Sequence, residues 1–190
     1  MTVPCERRTA VLRILPVLPF LAVFPLLTAC SIDVTDDGEG RKKAVDIQSP
    51  LGDLSVKTDV DNPDTGLPIY PGARPRRDKK EPESADVQLD SAWFDLRVMA
   101  AQYEGDASPE AVIEFYKRAL AAYGPVTECR GDIDFKGRPG TQRPVCKEGS
   151  RSRQVQLVVG TEEQHRIVSV KPRGSGSEFS VVRIRTRDRT

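Results

Sequence analysis

Ser108-Pro109-Glu110, one apolar stripe and a closing Gly124-Pro125 constrain the fold of this chain more than any other feature. The serine hydroxyl accepts a first-turn N–H, the proline needs no hydrogen bond at the first helical position, and the acid faces the positive end of the helix dipole. Val112, Phe115, Tyr116, Ala119, Leu120 and Tyr123 recur at the three- and four-residue intervals of one helix face, while Glu114, Lys117 and Arg118 point away. Gly124 suits the left-handed position past a helix end, and Pro125 prevents continuation. The pattern predicts one helix over 108–123, the only substantial one, burying Val112, Phe115, Ala119 and Leu120.

A lone amphipathic helix must bury its stripe against something, and the remaining pattern is strand-like. Val45-Asp46-Ile47 and Leu54-Ser55-Val56 alternate around the turn chemistry of Ser49 to Asp53, which reads as a small β-hairpin. A Pro-, Gly- and charge-rich loop follows from Asp59 to Glu83, with an apolar island at Leu67-Pro68-Ile69-Tyr70-Pro71-Gly72-Ala73 expected to pack on the domain. Asp86–Leu89 and Phe94–Tyr103 are strand candidates. On the second, Phe94, Leu96, Val98 and Ala100 share one face, while the other changes from Asp95 and Arg97 to Met99, Ala101 and Tyr103. Beyond the helix, Val126–Arg130, Val145–Lys147, Gln154–Val159, Arg166–Lys171 and Phe179–Thr186 read as strands, with turns at Gly160–Gln164 and Arg173–Ser177. The expected fold is α+β: one amphipathic helix packed on an antiparallel sheet, with an N-terminal β-hairpin, in a single domain over 45–190. The apolar island together with Ser-Pro-Glu-Ala-Val-Ile-Glu-Phe-Tyr at 108–116 resembles uncharacterised bacterial envelope proteins over residues 45–187. That resemblance implies a fold and no activity.

The first 29 residues have a different character. Arg7, Arg8 and Arg13 precede an uncharged run from Ile14 to Leu27, the layout of a secretory signal. As a retained helix, Ile14 to Cys30 would span roughly 26 Å against a hydrocarbon core of about 30 Å. Pro16, Pro19 and Pro25 would interrupt it. Ordinary cleavage after Ala29 would want a small residue where Leu27 stands. Leu27-Thr28-Ala29-Cys30 instead resembles the lipobox of bacterial lipoproteins. The resemblance implies that 1–29 is a signal peptide and that Cys30 becomes an N-terminus carrying a diacylglyceryl group with acyl chains such as palmitate. Membrane lipid is then a partner through Cys30, and the location is the cell envelope. In a diderm organism that means the periplasmic face or the outer membrane, which Ser31 after the cysteine favours. Residues 30–44 are expected to form a lipidated flexible tether with a reach of about 20 Å.

An exported chain meets an oxidising compartment, so Cys129 and Cys146 are expected to form a disulfide. The chain-entropy model gives such a loop about 3 kcal/mol. A two-cysteine metal site lacks partners, because His165 is the only histidine and lies on another segment. From Cys30 onward the chain carries 26 basic and 27 acidic residues, so it has no basic nucleic-acid footprint.

The residues offer little for catalysis, and the expectation is no enzyme, no cofactor and no metal. His165 reads as an exposed histidine at a turn–strand junction, with no G-x-S-x-G nucleophile motif to serve. Asp132 and Asp134 read as charges at a loop tip, with acid catalysis the sharper alternative. Asp59, Asp61, Asn62, Asp64 and Gly66 imitate a calcium loop, but Pro63 occupies a ligand position of the EF-hand spacing. Tyr70, Trp93, Tyr103 and Tyr116 either line a groove or pack the helix onto the sheet. Arg183, Arg185, Arg187 and Arg189 alternate along the C-terminus. They read as protection of an edge strand against pairing, or as contact with an anionic envelope polymer or lipid. The functional expectation is a membrane-anchored binding or interaction module for an unknown envelope protein or polymer. The alternative is an envelope enzyme with an unrecognised site.

Overall fold

The computed structural model describes residues 30–36, 38, 43–61, 63–76, 82–147 and 152–189. The expected signal peptide and the Asp37 and Glu39–Lys42 part of the expected tether lie outside these residues.

The strands are β1 (Ser31–Asp36), β2 (Lys43–Ser49), β3 (Gly52–Thr58), β4 (Arg74–Pro75), β5 (Ser84–Ser91), β6 (Phe94–Gly105), β7 (Thr127–Arg130), β8 (Ile133–Lys136), β9 (Arg143–Cys146), β10 (Val155–Gly160), β11 (Gln164–Arg173) and β12 (Gly176–Asp188). One helix, α1 (Pro109–Ala121), lies between β6 and β7. The order across the main antiparallel sheet is β1-β2-β3-β5-β6-β12-β11-β10-β7, and β4 adds to β6 beyond the end of β5. This is the α+β arrangement expected from the sequence.

Helix α1 begins where the sequence places it. Ser108 is extended, and its Oγ accepts a hydrogen bond from the Ala111 N–H at 3.3 Å. Val112, Tyr116 and Leu120 are wholly buried. They lie over Val155, Leu157 and Val159 of β10, Val168 and Val170 of β11, and Phe179 and Val181 of β12. Phe115 and Ala119 are only partly buried, so the stripe sits about one position away from the expected set. The stripe is wider than the line of closest approach to the sheet, and Phe115 lies at its margin, edge-on to Tyr70 at 5.1 Å between ring centres. Tyr70 brings the apolar island of the 59–83 loop into the core, as expected.

Two expectations are corrected. The tether is not unstructured over its length, because Ser31–Asp36 pairs in register with Lys43–Gln48. Ile32 and Val34 alternate with Ser31, Asp33 and Thr35, a strand period that the acidic run behind it obscures. The expected N-terminal hairpin is present as β2 and β3, and it joins the main sheet because β3 pairs with β5 along its whole length. Strand β12 is not an edge. It pairs with β6 from Ser177 to Asp188 and with β11 from Gly176 to Arg185. Alternation reports which face a residue occupies and carries no information on the number of neighbouring strands.

The sheet is covered unequally. On the face away from α1, the β8–β9 hairpin packs at the β7–β10–β11 end, where Phe135 meets His165 with ring centres 4.7 Å apart. Cys129 on β7 and Cys146 on β9 are disulfide-bonded, with Cα atoms 5.3 Å apart, and tie this hairpin to the sheet. At the other end the same face presents Ile32, Val34, Val45, Ile47, Leu54 and Val56, matched across β1, β2 and β3. None of these six is buried.

Candidate functional site

Cys30 is exposed and is a free cysteine. It immediately precedes β1, whose Ser31 lies opposite Gln48 near the β2–β3 turn. Any group attached to its sulfur therefore leaves the protein at one outer edge of the sheet, beside the turn ends of β2 and β3.

The candidate catalytic and ligand residues do not converge. His165 is 8% exposed, a correction to the expected exposed ring. Its Nδ1 lies 3.0 Å from the Thr161 carbonyl oxygen and 3.1 Å from that of Glu162, so the Nδ1-protonated tautomer donates to the turn. Burial lowers its pKa, against the opposing pull of those carbonyls and of Glu162. The sequence shows the junction but not that Phe135, about thirty residues earlier, returns to cover it. Asp134 lies on β8 with its neighbour Phe135 directed at His165, so strand alternation turns the carboxylate away from the ring. Asp132 is exposed at the start of the same hairpin.

The calcium-like loop uses its carboxylates locally. Asp59 Oδ1 accepts from the Glu83 N–H at 2.6 Å, and Asp64 Oδ1 accepts from the Gly66 N–H at 3.2 Å. Asp64 also meets Arg183 at 3.4 Å. Asn62 lies outside the described residues. Among the described residues no three His, Cys, Asp or Glu side chains are grouped to hold a metal ion.

The aromatic residues divide. Tyr70, Tyr103 and Tyr116 pack around Phe179 within 6.4 Å, as helix-to-sheet packing. Trp93 stays 63% exposed in the β5–β6 turn.

The arginine row gains neighbours that its spacing does not show. On the face beneath α1, Arg185 of β12 is directly opposite Arg97 of β6, and Arg183 is directly opposite Arg166 of β11. Like charges in opposed positions repel. Three of the four are compensated. Arg97 binds Asp86 through two hydrogen bonds of 3.1 and 2.8 Å, which raises its pKa. Arg183 meets Asp64, and the Arg166 guanidinium lies 3.6 Å over the Tyr123 ring. Burial lowers the Arg166 pKa, and Arg183 and Arg185 push it the same way against Tyr123 and Asp64. Arg185 has no hydrogen-bond or ion-pair partner among the described residues. It lines a pocket of about 180 Å³ with Arg97, Arg187, Gln88 and Gln164. Asp90 and Asp95 also line that pocket and are bridged by Arg189.

Arg97 and Arg166 are members of this cluster that the sequence does not nominate. Neither belongs to an arginine row on its own strand, and only the strand order brings them to Arg183 and Arg185.

Among the described residues no helix is long and apolar enough to cross a membrane. No protein-family model, curated protein or solved structure matches this chain.

Proposed function

We propose that this protein is a lipid-anchored lipoprotein of the bacterial cell envelope, and that its domain holds an anionic envelope polymer or protein rather than converting a substrate. The observation that carries the reading is Leu27-Thr28-Ala29-Cys30 at the end of an uncharged apolar run. The exposure of Cys30 beside an edge strand supports it, because an acyl group there does not have to displace core side chains. Each buried methylene of such a group contributes about 0.8 kcal/mol, and two or more chains give a lasting anchor.

The binding half of the reading is supported by the arginine cluster. With β12 in the interior of the sheet, protection of an edge no longer accounts for the row. Opposed like charges cost stability. Guanidinium groups match carboxylate and phosphate oxyanions with two parallel hydrogen bonds. Arg185, without a partner of its own, is the member that an anionic polymer or protein surface would engage.

Labelling cells with a clickable fatty acid tests the anchor. Wild-type protein should carry label and Cys30→Ala should not. Equal labelling of both proteins would end the lipoprotein reading. A soluble form lacking Cys30 should fold and yet fail to complement a deletion in the native host.

A further inference from the structure

Two turns at one end of the sheet are built alike. In the β2–β3 turn, Ser49 Oγ donates to the Gly52 carbonyl at 2.8 Å and accepts from the Leu51 N–H at 3.3 Å. In the β5–β6 turn, Ser91 Oγ donates to the Phe94 carbonyl at 2.7 Å and accepts from the Trp93 and Phe94 N–H groups at 3.3 and 3.0 Å. Each serine fixes a turn whose tip presents one large apolar side chain to solvent. Leu51 is 68% exposed and Trp93 63%, the two highest values among the exposed large hydrophobic side chains of the described residues.

The two tips are neighbours. Gly52 is directly opposite Ser91, and a Cβ on Gly52 would lie 2.4 Å from the Asp90 carbonyl oxygen. With φ of 149° as well, that position admits only glycine, and the turns close against each other there. Cys30 emerges at the same end, since β1 starts opposite Gln48. Arg189 fastens the C-terminus to this end through its N–H to the Trp93 carbonyl at 2.8 Å. From β1 to β6 is four strand spacings, or roughly 19 Å. Ile32 and Val34 of β1 are 52% and 48% exposed, so among the described residues four of the six exposed large hydrophobic side chains lie on this rim and its outer strand.

We infer that the end of the sheet formed by Cys30, Leu51 and Trp93 is a membrane-contact rim, and that a phospholipid bilayer is its occupant. The inference deepens the lipoprotein reading and rests on it for the anchor. The 29 residues that precede the described structure include the uncharged run Ile14–Leu27 and end at this rim. Whether that run is retained or exchanged for acyl chains on Cys30, the group that enters the bilayer leaves the domain here. An indole ring and a leucine held at rigid turn tips enter the interfacial layer, where a tryptophan keeps its apolar body in lipid and its N–H in the headgroups. Charge does not drive the contact. Asp53, Asp90, Asp95 and Asp188 outnumber Arg187 and Arg189 at this end, so a zwitterionic bilayer suffices.

Trp93 is the only tryptophan in the chain, so its fluorescence reads the rim alone. The lipidated full-length product is placed in phosphatidylcholine vesicles, and in matched vesicles with brominated acyl chains. Emission at shorter wavelength than in detergent-free buffer, with quenching by the brominated lipid, is the expected result. Leu51→Asp, checked by circular dichroism, should weaken both effects while fatty-acid labelling of Cys30 stays unchanged. Labelled protein whose Trp93 emits as if in water and is not quenched would overturn the rim and leave the anchor standing. If Cys30 proves unlabelled, the unlipidated chain mixed with the same vesicles still reports. A blue shift there supports the rim without the anchor, and no shift overturns it. A concentration-dependent shift in the absence of vesicles would assign the rim to a second copy of the chain and overturn the bilayer as its occupant.

Discussion

Arg185 and Arg97 face each other directly across β12 and β6, two guanidinium groups opposed within the middle of an antiparallel sheet. Asp86 holds Arg97 with a pair of hydrogen bonds, and Arg185 is left to whatever approaches from outside. Opposed like charges are unfavourable by roughly 0.2–1 kcal/mol. Arg185→Gln should therefore keep the stability of the wild type or raise it by up to about 1 kcal/mol. Asp86→Asn leaves both arginines uncompensated and should lower stability by about 0.5–1 kcal/mol. Urea unfolding at low and high salt reads both, and the two effects should shrink as salt screens them. Clear destabilisation by Arg185→Gln would show that Arg185 is part of the framework rather than of a binding surface.

Leu120 and Phe115 lie on the same helix but carry different weight. Leu120 is wholly buried against the sheet, whereas Phe115 is partly exposed at the edge of the aromatic group. Leu120→Ala should cost about 2–5 kcal/mol. Phe115→Ala should fall below the 3–5 kcal/mol of a fully enclosed ring. Equilibrium denaturation under non-reducing conditions gives both values. A larger loss at Phe115 than at Leu120 would mean that the helix is rotated from the orientation described.

His165 gives the fold a defined pH response. Burial places its folded-state pKa below the ordinary 6.5, so the unfolded chain takes up a proton first as pH falls. Its contribution is fully present above about pH 6.5 and is lost as pH drops toward the lower folded value. Stability measured from pH 8 downward should decline in that window, and His165→Gln should remove that part of the decline. A wild-type stability that rose over the same interval would contradict a buried neutral imidazole.

The covalent tie between Cys129 and Cys146 was legible because an expected export signal and an even pair of cysteines suffice to expect it. The helix was legible for a similar reason: its cap, stripe and stop all lie within about twenty residues, so local chemistry settles them. Most strands emerged from alternation, but β1 was hidden in the expected tether, and β4 and β8, with two and four residues, are too short to show a period. Cys30 stood out from a pattern confined to a few neighbouring positions.

Strand order was not legible, and the errors in reading the site came from it. The C-terminal arginines look like an edge from alternation alone, yet β12 is enclosed by β6 and β11. His165 looks exposed until Phe135 covers it. Leu51 looks like an ordinary turn residue and Trp93 like a groove or packing residue until the pairing of β3 with β5 sets their turns side by side near Cys30. By itself the sequence determined the helix, most of the strands, the face each of their residues takes, the disulfide and the expected place of attachment, largely products of neighbours along the chain. Only the tertiary structure decided which strands adjoin, and hence which charges oppose and which apolar tips share a rim. Those contacts join residues tens of positions apart, where a side-chain period of two fixes a face and leaves the partner undetermined.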